Sequence, residues 1–366
     1  MSSDAEHKTF KNVLILGASY GSLLGTKLLL AGHNVTLTCR ESTANLINTN
    51  GTVVRMPIRG CVAPIELKSK DLSGILMAAA PDAIDVNSYD LVVLAMQEPQ
   101  YSAPGVRELV KRIAASKIPT MSITNMPLYT FLKRIPNIDV EKLAECFTEP
   151  TLWHDFDPRL VTQCSPDPQA FRPPEEPANV LVVRLPTNFK ACKFGNEMDT
   201  AMLRQLEKDI QNATFHENGQ ELQVPVKLRV YDSVFCPLAK WAMLMAGNYR
   251  CVSQFPHEMI SIQEAVGGNL EQSRVIYDWV IDVCIGLGGA VEDFVPFEKY
   301  AAAAKSLTKP SSAARALADG ATYIERVDKL VALIASQQGK DLAAVNTIVN
   351  NVDTWLAENE KRVSKS

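Results

Sequence analysis

Residues 12 to 40 read NVLILGASYGSLLGTKLLLAGHNVTLTCR, and this stretch decides the fold. It opens with Val13–Leu16, an uninterrupted apolar run that is typical of a strand buried on both faces of a parallel sheet. Glycines follow, then an apolar helix that we predict over residues 22–30 and that ends at Gly32. A second strand is predicted over Val35–Thr38. The order strand, turn, helix, strand predicts the first unit of a doubly wound α/β sheet.

The turn between this strand and helix has the composition of a phosphate-binding loop. Glycines at such a turn let the backbone approach a pyrophosphate, which rests on the unpaired N–H groups at the start of the helix. The loop reads GASYG and is one residue shorter than the usual G-x-G-x-x-G pattern. We predict that Gly17, Ser19, Tyr20 and Gly21 bind a dinucleotide. The alternative is a tight structural turn without a cofactor.

The residue after the second strand indicates which dinucleotide is bound. An acidic residue there would accept the ribose 2′-hydroxyl of NAD, whereas a basic residue accommodates the 2′-phosphate of NADP. The chain has Arg40 at this position, followed directly by Glu41. We therefore predict NADP in preference to NAD.

The composition excludes several other classes of protein. The chain has 366 residues, enough for two domains, and its net charge of −4 argues against nucleic-acid binding. No apolar stretch approaches the roughly 20 residues that span a bilayer, and the polar first ten residues lack the core of a signal peptide. Eight cysteines are scattered without a CxxC pair, so no metal site is expected. We expect a cytoplasmic protein without membrane or nucleic-acid partners.

Two further buried strands are predicted in the first half of the chain, over Tyr89–Ala95 and Pro119–Thr124. Met96 and Gln97 follow the first of them, and Asn125 follows the second. Ligands of open α/β sheets bind at the carboxyl ends of the strands. These three residues are therefore candidates for contacts with the cofactor or the substrate, with a plain turn as the alternative for Asn125.

A proline-rich segment interrupts this regular pattern at about residues 150–178. We predict a long irregular insertion there, either a lid or a flexible loop. After it, Val180–Leu185 and Phe189–Phe194 are predicted to form a β-hairpin around Pro186.

From residue 231 the sequence becomes almost entirely helical. Helical spacing of apolar residues predicts four helices, over Ser233–Tyr249, Asn269–Gly286, Ser311–Gln338 and Leu342–Asn359. We therefore predict a Rossmann-like domain over residues 1–230 and an all-helical domain over residues 231–366. Dehydrogenases with this architecture have their active site in the cleft between the two domains.

One residue of the first predicted helix is a candidate for acid–base chemistry. Lys240 lies in the middle of an apolar stretch, and burial lowers the pKa of a lysine towards the range useful in catalysis. Asn248 lies two turns later on a similar face of the helix. The alternative is a surface lysine whose stem covers apolar residues.

Taken together, the segments GASYGSLLG, LAGHNVTLTCR and KWAMLMAGN resemble the ketopantoate reductase (2-dehydropantoate 2-reductase) family. The resemblance runs from end to end and implies a 6-phosphogluconate-dehydrogenase-like fold. It implies a contact between Arg40 and the NADP 2′-phosphate, and it implies that Lys240 is the general acid. Asn248 would lie beside the substrate, and Asn125 near the nicotinamide.

The resemblance also implies a serine that binds the substrate carboxylate. Ser311 occupies its position, with Ser312 as a close competitor. Elsewhere the chain departs from the family. Gln97 replaces a lysine and Leu244 replaces an asparagine. The acidic residue expected in the last long helix falls on Tyr323, although Glu325 lies nearby. We therefore expect a more apolar pocket and a substrate other than ketopantoate itself.

These features predict an NADP-dependent oxidoreductase that transfers a hydride between NADPH and a 2-oxo acid or related ketone, and that forms a homodimer. A non-catalytic NADP(H)-binding sensor or scaffold and an opine-type reductive amination enzyme are the alternatives. A short-chain dehydrogenase is excluded. Its YxxxK pattern occurs at Tyr129–Lys133, but a predicted strand separates that pattern from the serine it would need, Ser116.

Overall fold

The computed structural model describes residues 10–217, 219–252, 256 and 259–364. The strands are β1 (Asn12–Leu16), β2 (Asn34–Thr38), β3 (Val53–Met56), β4 (Ile65–Lys68), β5 (Leu76–Ala79), β6 (Leu91–Leu94), β7 (Thr120–Ile123), β8 (Val161–Ser165), β9 (Gln169–Phe171), β10 (Val180–Leu185), β11 (Phe189–Cys192), β12 (Thr214–Glu217), β13 (Gln220–Gln223) and β14 (Leu228–Tyr231). The α-helices are α1 (Gly21–Leu30), α2 (Glu41–Asn50), α3 (Pro104–Ser116), α4 (Tyr129–Leu132), α5 (Glu197–Asn212), α6 (Lys240–Met243), α7 (Ile262–Gly267), α8 (Leu270–Gly286), α9 (Phe297–Ala304), α10 (Ser312–Ala318), α11 (Val327–Gln337) and α12 (Ala343–Val363).

Eight strands form one large sheet in the order β14-β11-β8-β7-β6-β1-β2-β5. Six of them run parallel, while β11 and β14 run in the opposite direction. The register aligns the ends of the central strands, because Leu16 of β1 pairs with Thr38 of β2 and with Leu94 of β6. Gly17, Cys39 and Ala95 therefore leave the sheet at one edge. The predicted doubly wound α/β fold with a helical C-terminal part is confirmed.

The proline-rich segment is not the irregular loop that the sequence predicted. It contains β8, which is buried in the middle of the large sheet, and β9, which lies in a second sheet of order β4-β3-β10-β9. The β8 sequence VTQCS does not look like a buried strand, because three of its five residues are polar. Thr162 donates to the carbonyl of Cys192 at 2.6 Å, and Gln163 donates to that of Thr124 at 2.7 Å. These hydrogen bonds offset the cost of burying polar groups.

The hairpin predicted over β10 and β11 is wrong. β10 pairs with β3 and β9 in the second sheet, while β11 pairs with β8 and β14 in the large one. Each strand buries its own apolar face, Leu181 and Val183 in one case and Phe189 and Ala191 in the other. The short connection around Pro186 thus carries the chain from one sheet to the other.

After β14 ends at Tyr231, the described elements are helical, and the domain boundary near residue 230 stays a prediction. Two of the predicted helices differ from the structure. The segment Ser233–Tyr249 contains a 3-10 turn, the short α6 and a π-helical turn at Leu244–Asn248. The predicted helix Ser311–Gln338 is broken into α10 and α11, because the chain turns at Gly320, which has a positive φ of 92°.

One apolar core continues from the sheet into the helical part. Leu14 and Leu94 on the sheet belong to the same buried cluster as Trp241 and Tyr277 from the helices. The two parts therefore pack directly on each other, and the cleft at the carboxyl ends of the strands lies along their junction. Within the described residues, no helix combines the length and apolar character needed to cross a membrane.

Candidate functional site

The turn after β1 accepts only glycine at its first position. Gly17 has a φ of +106°, and a Cβ placed on it would lie 2.7 Å from the carbonyl oxygen of Ala95. A Cβ on Gly21 would lie 2.6 Å from the Cγ2 of Ile15, so the start of α1 also packs closely on the strand. The two glycines bring the N-terminus of α1 down onto the edge of the sheet. Such an N-terminus offers unpaired N–H groups and the positive end of the helix dipole to a phosphate.

The two predicted binding residues between these glycines, Ser19 and Tyr20, differ in their surroundings. Ser19 is exposed, whereas Tyr20 is half-buried and packs edge-on against the Phe189 ring at 5.9 Å. The Tyr20 hydroxyl donates to the carbonyl of Pro168 at 2.5 Å. The loop is therefore tied to the segment that follows β8.

Three of the other predicted cofactor residues lie at the same edge of the sheet. Arg40 is exposed and is the N-cap residue of α2, directly after β2. Met96 follows β6, and its N–H donates to the Tyr101 hydroxyl at 3.0 Å. Gln97 comes next and lines a cavity. The structure thus brings the residues after β1, β2 and β6 together.

This cavity lies between the sheet edge and the helical part. It is lined by residues that follow β6 and β7 on one side and by residues of the π-helical turn and its end, of α10 and of the break before α11 on the other: Gln97, Asn125, Leu244, Asn248, Tyr249, Ser312, Ala313, Ala316, Ile324 and Glu325. Its lining contains both polar and apolar residues. The wall at Leu244 and Ile324 is apolar, as the sequence predicted for Leu244.

Lys240 lies beside this cavity rather than among its lining residues. Its ammonium group donates to the backbone carbonyl of Pro166. Burial lowers the pKa of Lys240, and the carboxylates of Asp167 and Glu325 oppose this effect. An ammonium with a lowered pKa gives up its proton more readily near neutral pH.

Glu325 is the residue of this site that the sequence did not select. The side chain of Asn125 and the backbone N–H of Glu98 lie near its carboxylate and favour the charged form, which lowers its pKa. Burial raises the pKa of Glu325 to about 7, and the charge of Glu98 adds to the rise. The Asp319-Gly320 pair, a common turn dipeptide, is the signal that could have revealed the helix break carrying Glu325 into the cavity.

A second buried carboxyl group, that of Glu98, lies next to Glu325. It accepts from the N–H of Thr148 at 3.1 Å and from the Thr148 hydroxyl at 2.9 Å. Burial raises the pKa of Glu98 to about 7 as well. The site therefore holds two carboxyl groups that change charge near neutral pH, close to a buried lysine.

Asn125 has an unsatisfied acceptor in this cavity. Its Oδ1 is buried and has no hydrogen-bond partner among the described residues, and its side chain lies near the Glu325 carboxylate. A buried polar atom without a partner costs about 1–3 kcal/mol. A ligand that donates a hydrogen bond at this point would remove that cost, so the cavity fits a polar ligand.

The π-helical turn shapes the opposite wall. Such turns are rare and occur frequently at functional sites. Here the Tyr300 hydroxyl donates to the Met243 carbonyl at 2.9 Å, and the Ser311 hydroxyl donates to the Asn248 carbonyl at 2.7 Å. These bonds fix the turn that places Asn248 and Leu244 at the cavity.

The structure separates the two candidate serines. Ser311 is buried as the N-cap of α10, where its hydroxyl accepts from the Ala314 N–H at 3.1 Å while donating to Asn248. Ser312 is exposed and lines the cavity. Ser312 thus has the freer hydroxyl, although the role of either serine toward a substrate stays a prediction.

The different surroundings predict different effects on stability. Ser311→Ala should lower the free energy of unfolding by about 0.5–2 kcal/mol, because it removes a helix cap. Ser312→Ala should change it by less than about 0.5 kcal/mol, as expected for an exposed side chain. Urea unfolding of both variants measures this. Equal losses would contradict the capping role of Ser311.

The sequence matches no protein-family profile, and no curated protein matches it. Solved structures do share its fold. A 2-dehydropantoate 2-reductase from Methylococcus capsulatus aligns with a TM-score of 0.60 at 12% identity, covering 97% of each chain. D-mandelate dehydrogenase, in a ternary structure with NADH and anilino(oxo)acetate, aligns with a TM-score of 0.61 at 12% identity. The alignment covers 95% of this chain and 99% of that one. The dimeric ketopantoate reductase from Staphylococcus aureus aligns with a TM-score of 0.55 at 10% identity, covering 95% of this chain and 99% of that one. The resemblance to ketopantoate reductases is thereby confirmed at the level of the fold.

Proposed function

We propose that this protein is an NADP-dependent oxidoreductase that reduces a 2-oxo acid or a related ketone. The observation that carries the proposal is the cavity where Asn125, Asn248 and Glu325 meet beside Lys240. This cavity lies at the sheet edge where Gly17 and Arg40 leave β1 and β2. The fold shared with 2-dehydropantoate 2-reductases and D-mandelate dehydrogenase supports the same reaction class.

The loop residues fit a nicotinamide dinucleotide. Gly17 leaves no room for a side chain at the turn, as close approach of a backbone to a pyrophosphate requires. Gly21 begins α1, and the amides of Ser19 and Tyr20 stand between the two glycines. When bound, the reduced nicotinamide supplies a hydride to the carbonyl carbon of the substrate.

Residues of the chain itself would donate the proton and orient the substrate. Lys240 Nζ holds a proton for the developing alkoxide, and its lowered pKa favours the transfer. Glu325, with a pKa of about 7, lines the same cavity, and its negative charge favours the protonated form of Lys240. Asn125 and Asn248 orient the carbonyl group, and Ser312 offers a hydroxyl to a carboxylate.

The wall formed by Leu244 and Ile324 indicates the kind of substrate. An apolar substrate group that is buried against these side chains gains a binding free energy of about 25 cal/mol per Å² of buried apolar surface. We therefore propose that the substrate carries an apolar substituent next to its carbonyl group. A screen of 2-oxo acids with alkyl or aryl side chains, read as NADPH consumption, tests this directly.

A second candidate is a protein that binds NADP(H) without catalysing a reaction. The bond between Lys240 and the Pro166 carbonyl favours it, because this bond occupies the ammonium that would protonate a substrate. The same substrate screen separates the two functions. NADPH binding without consumption across the whole panel would favour the sensor or scaffold.

We also propose that the protein forms a homodimer through its helical part. The exposed apolar residues Leu270 and Val275 on α8 support an interface there, and the Staphylococcus aureus enzyme of the same fold is dimeric. Sedimentation equilibrium should therefore give the mass of two chains. Val275→Glu should shift the equilibrium towards one chain, and a single-chain mass for the unmodified protein would contradict the proposal.

A further inference from the structure

Strand β9 brings a second arginine to the end of β2. Arg172 directly follows β9 and is half-buried. Burial lowers the pKa of its guanidinium. Cys39 raises this pKa slightly, and the positive charge of Arg40 lowers it. The segment that carries Arg172 is held at the Gly17 loop, because the Tyr20 hydroxyl donates to the Pro168 carbonyl at 2.5 Å. Arg172 and Arg40 both act on Cys39, the residue directly after β2, so the two guanidinium groups lie on the same side of that strand end.

Arg172 also has an unsatisfied donor. Its Nη2 atom is buried and has no hydrogen-bond partner among the described residues. A guanidinium stays charged at all physiological pH values, so the cost of burying this donor is not relieved by loss of a proton. A buried donor without an acceptor is costly, and more so when it is charged. Two neighbouring cations with an open N–H group form an incomplete anion site.

The position in the fold indicates which anion completes it. β2 lies beside β1 with Thr38 in register with Leu16, so its end faces the ribose end of a dinucleotide held at the Gly17 loop. Arg40 occupies the N-cap position of α2 without a capping bond from its side chain, and the N-terminus of this helix also favours a negative charge. Arginine is the side chain whose planar fork matches the oxygens of a phosphate.

We propose that Arg172 and Arg40 together form a clamp for the 2′-phosphate of NADP(H). The inference rests on the proposed function and adds a second specificity-determining residue to Arg40. Arg172 comes from the proline-rich segment, whose Pro166 and Pro168 carbonyls also bind Lys240 and Tyr20. This segment therefore has a part in choosing the cofactor.

The test compares nucleotides that differ only in the 2′-phosphate. Isothermal titration gives the Kd values of NADPH, NADH, adenosine 2′,5′-diphosphate and adenosine 5′-diphosphate for the full chain. Arg172→Gln should weaken NADPH and the 2′,5′-diphosphate by about 10- to 100-fold, the usual effect of losing charge-assisted hydrogen bonds. The binding of NADH and of the 5′-diphosphate should change by less than about threefold, an effect below 1 kcal/mol. Arg172→Lys keeps the positive charge but loses the planar guanidinium group. Its Kd for NADPH should lie between those of Arg172→Gln and of the unmodified protein.

Arg184→Gln is the matched control. Arg184 lies on β10 beside β9, is exposed, and stacks over the Phe171 ring with its guanidinium carbon 4.2 Å from the ring centroid. Its removal takes away one positive charge near Arg172 without touching the proposed clamp. The control should therefore keep the NADPH preference of the unmodified protein.

Each remaining outcome is decisive. If the unmodified protein binds NADPH but Arg172→Gln and Arg172→Lys keep its preference over NADH, the clamp is wrong and the proposed function stands. If both Arg172 variants weaken all four nucleotides equally, Arg172 has only a structural role and the clamp is again wrong. If the unmodified protein binds none of the four, the proposed function fails together with the clamp.

Discussion

Lys240→Met is expected to lower kcat for the reduction of a 2-oxo acid by about 10²–10⁴-fold, the usual contribution of general acid catalysis. Methionine has a similar volume and no proton to donate. Lys240 bonds to the Pro166 carbonyl rather than to a residue of the Gly17 loop, so we expect the Kd of NADPH to change little. Steady-state kinetics and a fluorescence titration with NADPH measure the two quantities separately.

Lys305→Met is the control for this variant, because Lys305 is an exposed lysine of the helical part. It should leave kcat within about twofold, since surface substitutions have small effects. If Lys240→Met retains full turnover, the proton comes from another group and the assignment of Lys240 is wrong. Glu325 would then be the next candidate, because its pKa lies near 7.

The second large effect concerns the stability of the protein as a function of pH. Glu325 has a pKa of about 7 in the folded state, against about 4.3 in an unfolded chain. Between these values the folded state binds more protons than the unfolded state, so the free energy of unfolding falls as the pH rises. One pKa unit corresponds to about 1.4 kcal/mol. Allowing for partial relaxation, Glu325 should contribute about 1–3 kcal/mol to the decrease between about pH 5 and pH 8.

The free energy of unfolding of Glu325→Gln should therefore fall less between about pH 5 and pH 8 than that of the unmodified protein. Glu98→Gln should behave in the same way, because burial raises the pKa of Glu98 as well. Comparing each protein with itself at two pH values cancels any constant cost of the substitution. Glu175→Gln, at an exposed position, is the control and should follow the unmodified protein. Urea unfolding measures these differences. Parallel curves for all four proteins would show that the two carboxyl groups ionise normally.

The parts of the fold that the sequence predicted correctly have local signals. β1 and β2 are apolar runs around a glycine turn, and α8 shows a regular helical spacing that ends near Gly286. β8 was missed because its buried Thr162 and Gln163 are stabilised by hydrogen bonds to distant residues. Such partners are visible only in the folded chain.

The same distinction applies to the site. Asn125, Gln97 and Asn248 could be selected because each follows a strand or lies on a recognisable helix, and the structure places them around one cavity. Glu325 was passed over, because it required a helix break at Gly320. Arg172 could not be found at all, since it comes near the end of β2 only when the proline-rich segment folds against that end of the sheet.

The most direct test of the central claim is a fluorescence titration of the protein with NADPH, followed by addition of 2-oxo acids with apolar side chains. The proposed function predicts saturable binding of one NADPH per chain, tighter than that of NADH, and loss of the reduced-nicotinamide signal when a suitable acid is added. A folded protein that binds neither NADPH nor NADH would contradict it, and the Gly17 turn would then be only a structural feature.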